Sequence, residues 1–116
     1  MARFKVEFTD WQWNKIIQLL CYAIRYAINY IESNIATIKK LKLEGEYIRL
    51  IEKLVKSVSE TIAEEAIKYA KNIIRQLREQ SMDINELENK FEKCESEFNK
   101  TIEEFNEIIR GKRHLI

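Results

Sequence analysis

The near absence of helix-breaking residues constrains the fold of this chain more than any other feature. The 116 residues include no proline and only two glycines, Gly45 and Gly111. These two residue types are the least compatible with helix interiors, and they also mark most turns and loops. The sequence therefore predicts long helices that are interrupted at very few places.

The first helix is predicted to run from about Asp10 to about Leu43. Two local patterns define its start, a capping box and a hydrophobic staple. The residue pairs of these two patterns are Thr9 with Gln12 and Phe8 with Trp13. Gly45 is the expected C-cap, because glycine adopts the left-handed conformation that ends many helices.

The second helix is predicted from about Glu46 to about Gln80. Its apolar residues recur in steps of three and four, which is typical of a narrow seam that packs against other helices. The predicted seam consists of Ile48, Ile51, Val55, Val58, Ile62, Ala66, Tyr69, Ile73 and Leu77.

The third helix is predicted from about Ile84 to about Arg110, with Asp83 and Glu86 in the spacing of a capping box. Three phenylalanines recur every seven residues along its seam, and this heptad repeat is typical of coiled coils. The predicted seam consists of Ile84, Leu87, Phe91, Cys94, Phe98, Thr101 or Ile102, Phe105 and Ile108.

Three long helices with tight connections predict an all-α fold, an elongated antiparallel bundle that is coiled-coil-like and up-down-up in topology. We expect a single bundle domain over residues 9–110. A short N-terminal arm over residues 1–8 is predicted to be extended, because charged and apolar residues alternate in it. Residues 111–116 are predicted to form a basic C-terminal tail.

The first helix is apolar over more of its circumference than one seam requires. One arc of its wheel is aliphatic, and a second arc beside it carries three tyrosines at intervals of four residues. The second arc suits a bundle helix that faces two neighbours. It also suits contact with another chain, because tyrosine buries ring area while its hydroxyl stays hydrogen-bonded. The predicted protein interface consists of Trp11, Leu19, Tyr22, Tyr26 and Tyr30.

Basic residues occupy about one third of the second helical wheel, opposite the seam. This basic stripe consists of Arg49, Lys53, Lys56, Lys68, Lys71, Arg75 and Arg78, and the tail adds Lys112 and Arg113. The stripe can complement the third helix, since residues 83–109 carry nine acidic and three basic residues. It can also bind a nucleic-acid backbone. No aromatic residues are interleaved with these bases for stacking, so such binding would be independent of sequence.

The residue types that catalysis needs are scarce. The single histidine, His114, lies near the C-terminus, where a base is not held rigidly. The chain contains no glycine-rich phosphate loop, no CxxC, no HExxH and no Glu-x-x-His pair. We therefore expect no enzymatic activity, no catalytic residue, no cofactor and no metal site.

Other features predict a cytoplasmic protein, or one of the virion or host cytoplasm if the chain is viral. No signal-peptide pattern and no apolar stretch of membrane-spanning length occurs, so no membrane contact is expected. The abundance of Ile, Lys, Glu, Asn and Tyr is typical of AT-rich prokaryotic genomes and their viruses and plasmids. Cys21 and Cys94 are too few for a disulfide scaffold. They would lie at nearly the same height if the first and third helices are parallel.

These observations favour a non-enzymatic helical assembly or interaction protein, a homo-oligomer or an adaptor that acts through its helix faces. The alternative is a nucleic-acid-associated subunit of a ribonucleoprotein or of a defence or anti-defence complex, which would use the basic stripe. The architecture resembles three-helix coiled-coil proteins, and spectrin-type repeats in length alone. In size and class the chain is similar to small helical subunits of CRISPR effector complexes and to small virus-encoded helical proteins.

Overall fold

The computed structural model describes residues 8–80 and 82–113, so residues 1–7 of the predicted arm and residues 114–116 of the predicted tail lie outside it. The described residues are 90% helical and include no strand. They form an elongated bundle about 50 Å long and 18 Å across its narrowest dimension. The predicted all-α three-helix bundle is confirmed.

Three helical rods make up this bundle. Helix α1 covers Asp10–Leu41. The second rod consists of α2 (Glu46–Val58), a π-helical segment (Ser59–Glu64) and α3 (Glu65–Glu79), which follow one another without a break. Helix α4 covers Asn85–Arg113.

Contacts between the rods follow the up-down-up topology. Arg78 near the end of α3 pairs with Glu88 near the start of α4, and Lys71 earlier in α3 pairs with Glu95 later in α4, so these two helices are antiparallel. Later in α4, Glu104 Oε1 lies 3.9 Å from Lys39 Nζ, in the last turn of α1. Helix α4 therefore runs in the same direction as α1.

The start of α1 has the predicted capping box and staple. The N–H of Gln12 donates to the Thr9 hydroxyl at 3.3 Å, and the N–H of Thr9 donates to the Gln12 side chain at 2.8 Å. The rings of Phe8 and Trp13 pack edge to face with their centroids 5.0 Å apart. The two hydrogen bonds satisfy backbone N–H groups that have no partner within the helix, and the ring contact fixes the direction from which the chain enters α1.

The end of α1 differs from the prediction. The helix ends at Leu41, and the residue in the left-handed conformation is Lys42 (φ 52°, ψ 46°) rather than Gly45. The N–H of Leu43 donates to the carbonyl of Ile38 at 3.2 Å, which closes the helix as this conformation allows. Gly45 instead precedes α2 with φ 64° and ψ −129°, a combination that favours glycine.

The predicted seam of the second rod is correct at its ends and at Ala66, and it is wrong by one residue at the other middle positions. Ile48, Ile51, Val55 and Leu77 are buried as expected. The π-helical segment has wider turns than an α-helix, and most buried positions around it fall one residue later than predicted. These later positions are Ser59, Ala63, Ala70 and Ile74. Tyr69, which was assigned to the seam, is 55% exposed.

Three of the four shifted residues, Ser59, Ala63 and Ala70, are small, and their size suits a close contact between helices. Ser59, Ala63 and Ala70 are buried where the second rod contacts α1. Small side chains allow two helix backbones to approach closely.

The seam of α4 contains the predicted heptad of phenylalanines. The three buried phenylalanines are Phe91, Phe98 and Phe105. Thr101 is buried, whereas its alternative Ile102 is half-buried. At the end of the seam the buried residue is Ile109, and the predicted Ile108 is half-buried.

The two ends of α4 lie close to their predicted positions. The Asp83 carboxylate accepts a hydrogen bond from the N–H of Asn85 at 3.3 Å, as a residue that caps this helix would. Helix α4 continues to Arg113, which is three residues into the segment predicted as a tail.

The aliphatic arc of α1 forms the centre of the core. Its buried members are Ile17, Ile24, Ala27, Ile28, Ile31, Ile35 and Ile38. Within residues 8–80 and 82–113, no helix has both the length and the apolar character that crossing a membrane requires.

Candidate interaction face and basic pocket on α1

Four of the five predicted interface residues project from α1 on the side away from the core. Trp11, Leu19, Tyr22 and Tyr26 are between 57% and 68% exposed. At about 100° per residue they share an arc of about 80°, opposite the aliphatic arc. We call these four residues the α1 outer face. The fifth residue, Tyr30, is half-buried and packs against the core.

Two contacts orient the aromatic rings of the α1 outer face. The Lys15 ammonium lies 5.5 Å from the centroid of the Trp11 ring, which is a cation–π distance. The Gln18 side-chain amide donates to the Tyr22 hydroxyl at 3.0 Å. Both contacts join residues four apart on the helix surface, so they hold the rings in place without burying them.

A second group of exposed apolar residues lies on α2, and the sequence reasoning missed it. Tyr47, Leu50 and Leu54 are exposed and follow one another in steps of three and four. We call them the α2 outer stripe. They lie beside the α2 seam on the helical wheel. The sequence signal that could have identified them is the presence of large apolar residues that the predicted seam does not include.

A pocket of about 580 Å³ opens between α1 and the first half of α4. Four cationic side chains line it, Lys15 and Arg25 from α1 and Lys90 and Lys93 from α4. We call it the α1–α4 pocket. The sequence reasoning did not identify it, because it requires the relative positions of two helices that are distant in sequence.

Two buried cysteines form part of the pocket lining. Cys21 and Cys94, which were expected at nearly the same height, are neighbours. Burial raises the pKa of the Cys21 thiol to about 12, and the adjacent Cys94 adds to the rise. Hydrogen bonding with the Cys94 side chain, together with its charge, raises the pKa of the Arg25 guanidinium. Both thiols are free.

The predicted basic stripe is exposed along the second rod, but part of it is paired within the chain. Lys71 Nζ lies 2.8 Å from a carboxylate oxygen of Glu95, and Arg78 pairs with Glu88. Complementarity to acidic α4 is therefore present at these two positions.

The π-helical segment also divides the basic stripe into two parts. Arg49, Lys53 and Lys56 precede this segment, and the other four residues follow it. Lys112 and Arg113 end α4 rather than a separate tail. Nucleic-acid binding by the stripe stays a prediction.

The described residues contain no group of three or more His, Cys, Asp or Glu side chains that could hold a metal ion. His114 lies outside the described part of the chain. In comparisons with known proteins, no family model, no curated protein and no solved structure matches this chain.

Proposed function

We propose that this protein is a non-enzymatic helical interaction protein that associates with further copies of itself through the α1 outer face. The observation that carries the proposal is the exposure of Trp11, Leu19, Tyr22 and Tyr26 on a helix whose opposite side forms the core. Single exposed apolar residues are common on protein surfaces. Grouped large apolar side chains, aromatic ones above all, are instead typical of interfaces.

The bundle itself accounts for only part of the wide apolar surface of α1. Ala23 and Tyr30 pack against the core at the edges of the aliphatic arc. The second rod and α4 both contact α1, yet the α1 outer face stays exposed. Its rings are held by Lys15 and Gln18, which favours a preformed surface whose ordering costs little on binding.

The area of the α1 outer face sets the strength of association that we expect. An aromatic side chain buries about 150–250 Å², so at the observed exposure the three rings offer roughly 300–450 Å². A stable interface buries about 800 Å² per partner. The rings supply about half of that area, and flanking side chains must supply the rest. We therefore expect reversible association that depends on protein concentration.

The net charge of the chain does not oppose association between copies, whereas the four cations that line the α1–α4 pocket beside Trp11 and Tyr22 oppose it locally. The net charge of the chain is +1, so two copies repel each other little. Between Trp11 and Tyr26, Lys15 is the one charged residue within the arc of the α1 outer face, and the Trp11 ring lies against it.

The test is a double variant, Leu19→Ser with Tyr26→Ser, whose positions are exposed and do not line the α1–α4 pocket. Sedimentation equilibrium should give a lower average mass than the wild type at the same concentration, with unchanged helicity by circular dichroism. The matched control is Tyr47→Ser with Leu50→Ser on the α2 outer stripe, which should keep the wild-type mass. An unchanged mass for the α1 variant, or an equal drop for the control, would show that the α1 outer face is not the interface.

A further inference from the structure

The α1–α4 pocket brings four positively charged side chains together. Its four cations are Lys15, Arg25, Lys90 and Lys93, and no carboxylate belongs to the described residues that line it. These side chains come from two helices that are far apart in sequence. The fold therefore assembles the charge cluster.

The sequence positions of these cations show what share of the positive charge of each helix they represent. Lys15 and Arg25 are the only basic residues between positions 10 and 38. Residues 83–109 of the acidic helix carry three basic residues, and two of them, Lys90 and Lys93, line the pocket. Two of the four basic residues of α1 and two of the six basic residues of α4 therefore line the same space.

The chain supplies little opposite charge to this cluster. Among the described residues, Lys15, Lys90 and Lys93 form no ion pair. Glu97 interacts electrostatically with Arg25, but it does not line the pocket. Like charges held together repel one another, so a bound anion would remove an unfavourable interaction as well as add favourable ones.

The remaining walls of the pocket combine aromatic and apolar side chains with the amides of Asn14 and Gln18. Trp11 and Tyr22 line it, and Ile17 and the two buried cysteines complete the apolar part. A volume of about 580 Å³ lies within the usual range for a site that holds one small ligand. Cations bind phosphate oxygens through charge-assisted hydrogen bonds, and an aromatic wall stacks on a planar ring.

We propose that the α1–α4 pocket binds a free nucleotide, with its phosphates among the four cations and its base against the Trp11 ring. The end of a nucleic-acid strand offers the same chemistry, but the volume of the pocket accommodates one nucleotide. This site is separate from the basic stripe. It shares Trp11 and Tyr22 with the α1 outer face, so a nucleotide and a second copy of the chain would compete for these rings, but binding to the monomer does not require self-association.

Tryptophan fluorescence provides the binding assay, since Trp11 lines the pocket and Trp13 is the other tryptophan of the chain. ATP added at low ionic strength should change the emission in a saturable manner. The variant Lys90→Glu with Lys93→Glu, at two exposed positions, should bind ATP about tenfold more weakly or worse. The matched control Lys68→Glu with Lys100→Glu makes the same change in net charge at two positions outside the pocket. Its affinity for ATP should be within about twofold of that of the wild type.

Two further probes separate the parts of the proposal. Inorganic triphosphate should bind more weakly than ATP, and equal affinity would overturn the role of the aromatic wall. A single-stranded oligothymidylate that bound more tightly than ATP through Lys90 and Lys93 would overturn the assignment to a free nucleotide. Absence of ATP binding at millimolar concentration, or wild-type affinity in the pocket variant, would overturn the site itself. The Leu19→Ser with Tyr26→Ser variant should bind ATP with wild-type affinity. The ATP-binding result can therefore be interpreted even if self-association fails.

Discussion

At the scale of single residues, Phe98 tests whether the heptad of α4 is the core seam. Its side chain is 4% exposed, and Phe98→Ala would remove its ring from a packed interior. We expect the free energy of unfolding to fall by roughly 3–5 kcal/mol, measured by urea denaturation. Asn99→Ala, one residue later and exposed, should change it by less than about 0.5 kcal/mol. A loss below about 1 kcal/mol for Phe98→Ala would contradict its position in the core.

The raised pKa of the Cys21 thiol leads us to expect that the stability of the fold depends on pH. Its pKa is raised from 9.0 to about 12 by burial and then by Cys94, so the unfolded chain loses the thiol proton first. Unfolding therefore releases a proton between about pH 9 and about pH 12, and stability falls as the pH rises through that window. Urea denaturation from pH 7.5 to pH 10.5 should show a steeper fall for the wild type than for Cys21→Ala. Parallel curves would contradict a raised pKa.

At the scale of helices, the end of α1 contains a residue that is conformationally unfavourable. Lys42 is in the left-handed region, which costs a residue with a side chain about 1–2 kcal/mol. Lys42→Gly should raise the free energy of unfolding by about 0.5–1 kcal/mol, because glycine adopts this conformation at low cost and only a small dipole interaction is lost.

Lys40→Gly is the matched control for that prediction, two residues earlier within α1. It should lower the free energy of unfolding by about 1 kcal/mol, because glycine is unfavourable inside a right-handed helix. Thermal denaturation of both variants checks the opposite signs. Destabilisation by Lys42→Gly would contradict the observed end of α1.

Most helix starts could be predicted from the sequence. Which residues in the middle of the second rod face the core could not be predicted. The box of Thr9 with Gln12 is a local pattern that depends on hydrogen bonds between neighbours in sequence. In the second rod, seams through Val58 or through Ser59 both follow steps of three and four. Packing against α1 decides between them, and that contact is not encoded locally. The end of α1 was missed because Gly45, three residues beyond Lys42, carried the stronger sequence signal.

At the scale of the whole molecule, the bundle topology was predictable and the α1–α4 pocket was not. Long helices with short connections leave few arrangements, so the up-down-up order follows from helix number and length. The pocket requires in addition the rotation of α1 against α4, which depends on side-chain packing. The equal heights of Cys21 and Cys94 were the one sequence signal that pointed to this region, and both line the pocket.

Self-association through the α1 outer face is most directly tested by the solution mass of the unmodified protein. Sedimentation equilibrium from about 5 μM to about 500 μM spans the range in which an interface of limited area should assemble. We expect the average mass to rise with concentration from 14.0 kDa for the monomer toward a multiple of that value. A mass of 14.0 kDa at every concentration would contradict self-association and leave the α1 outer face without a second copy of the chain as its partner.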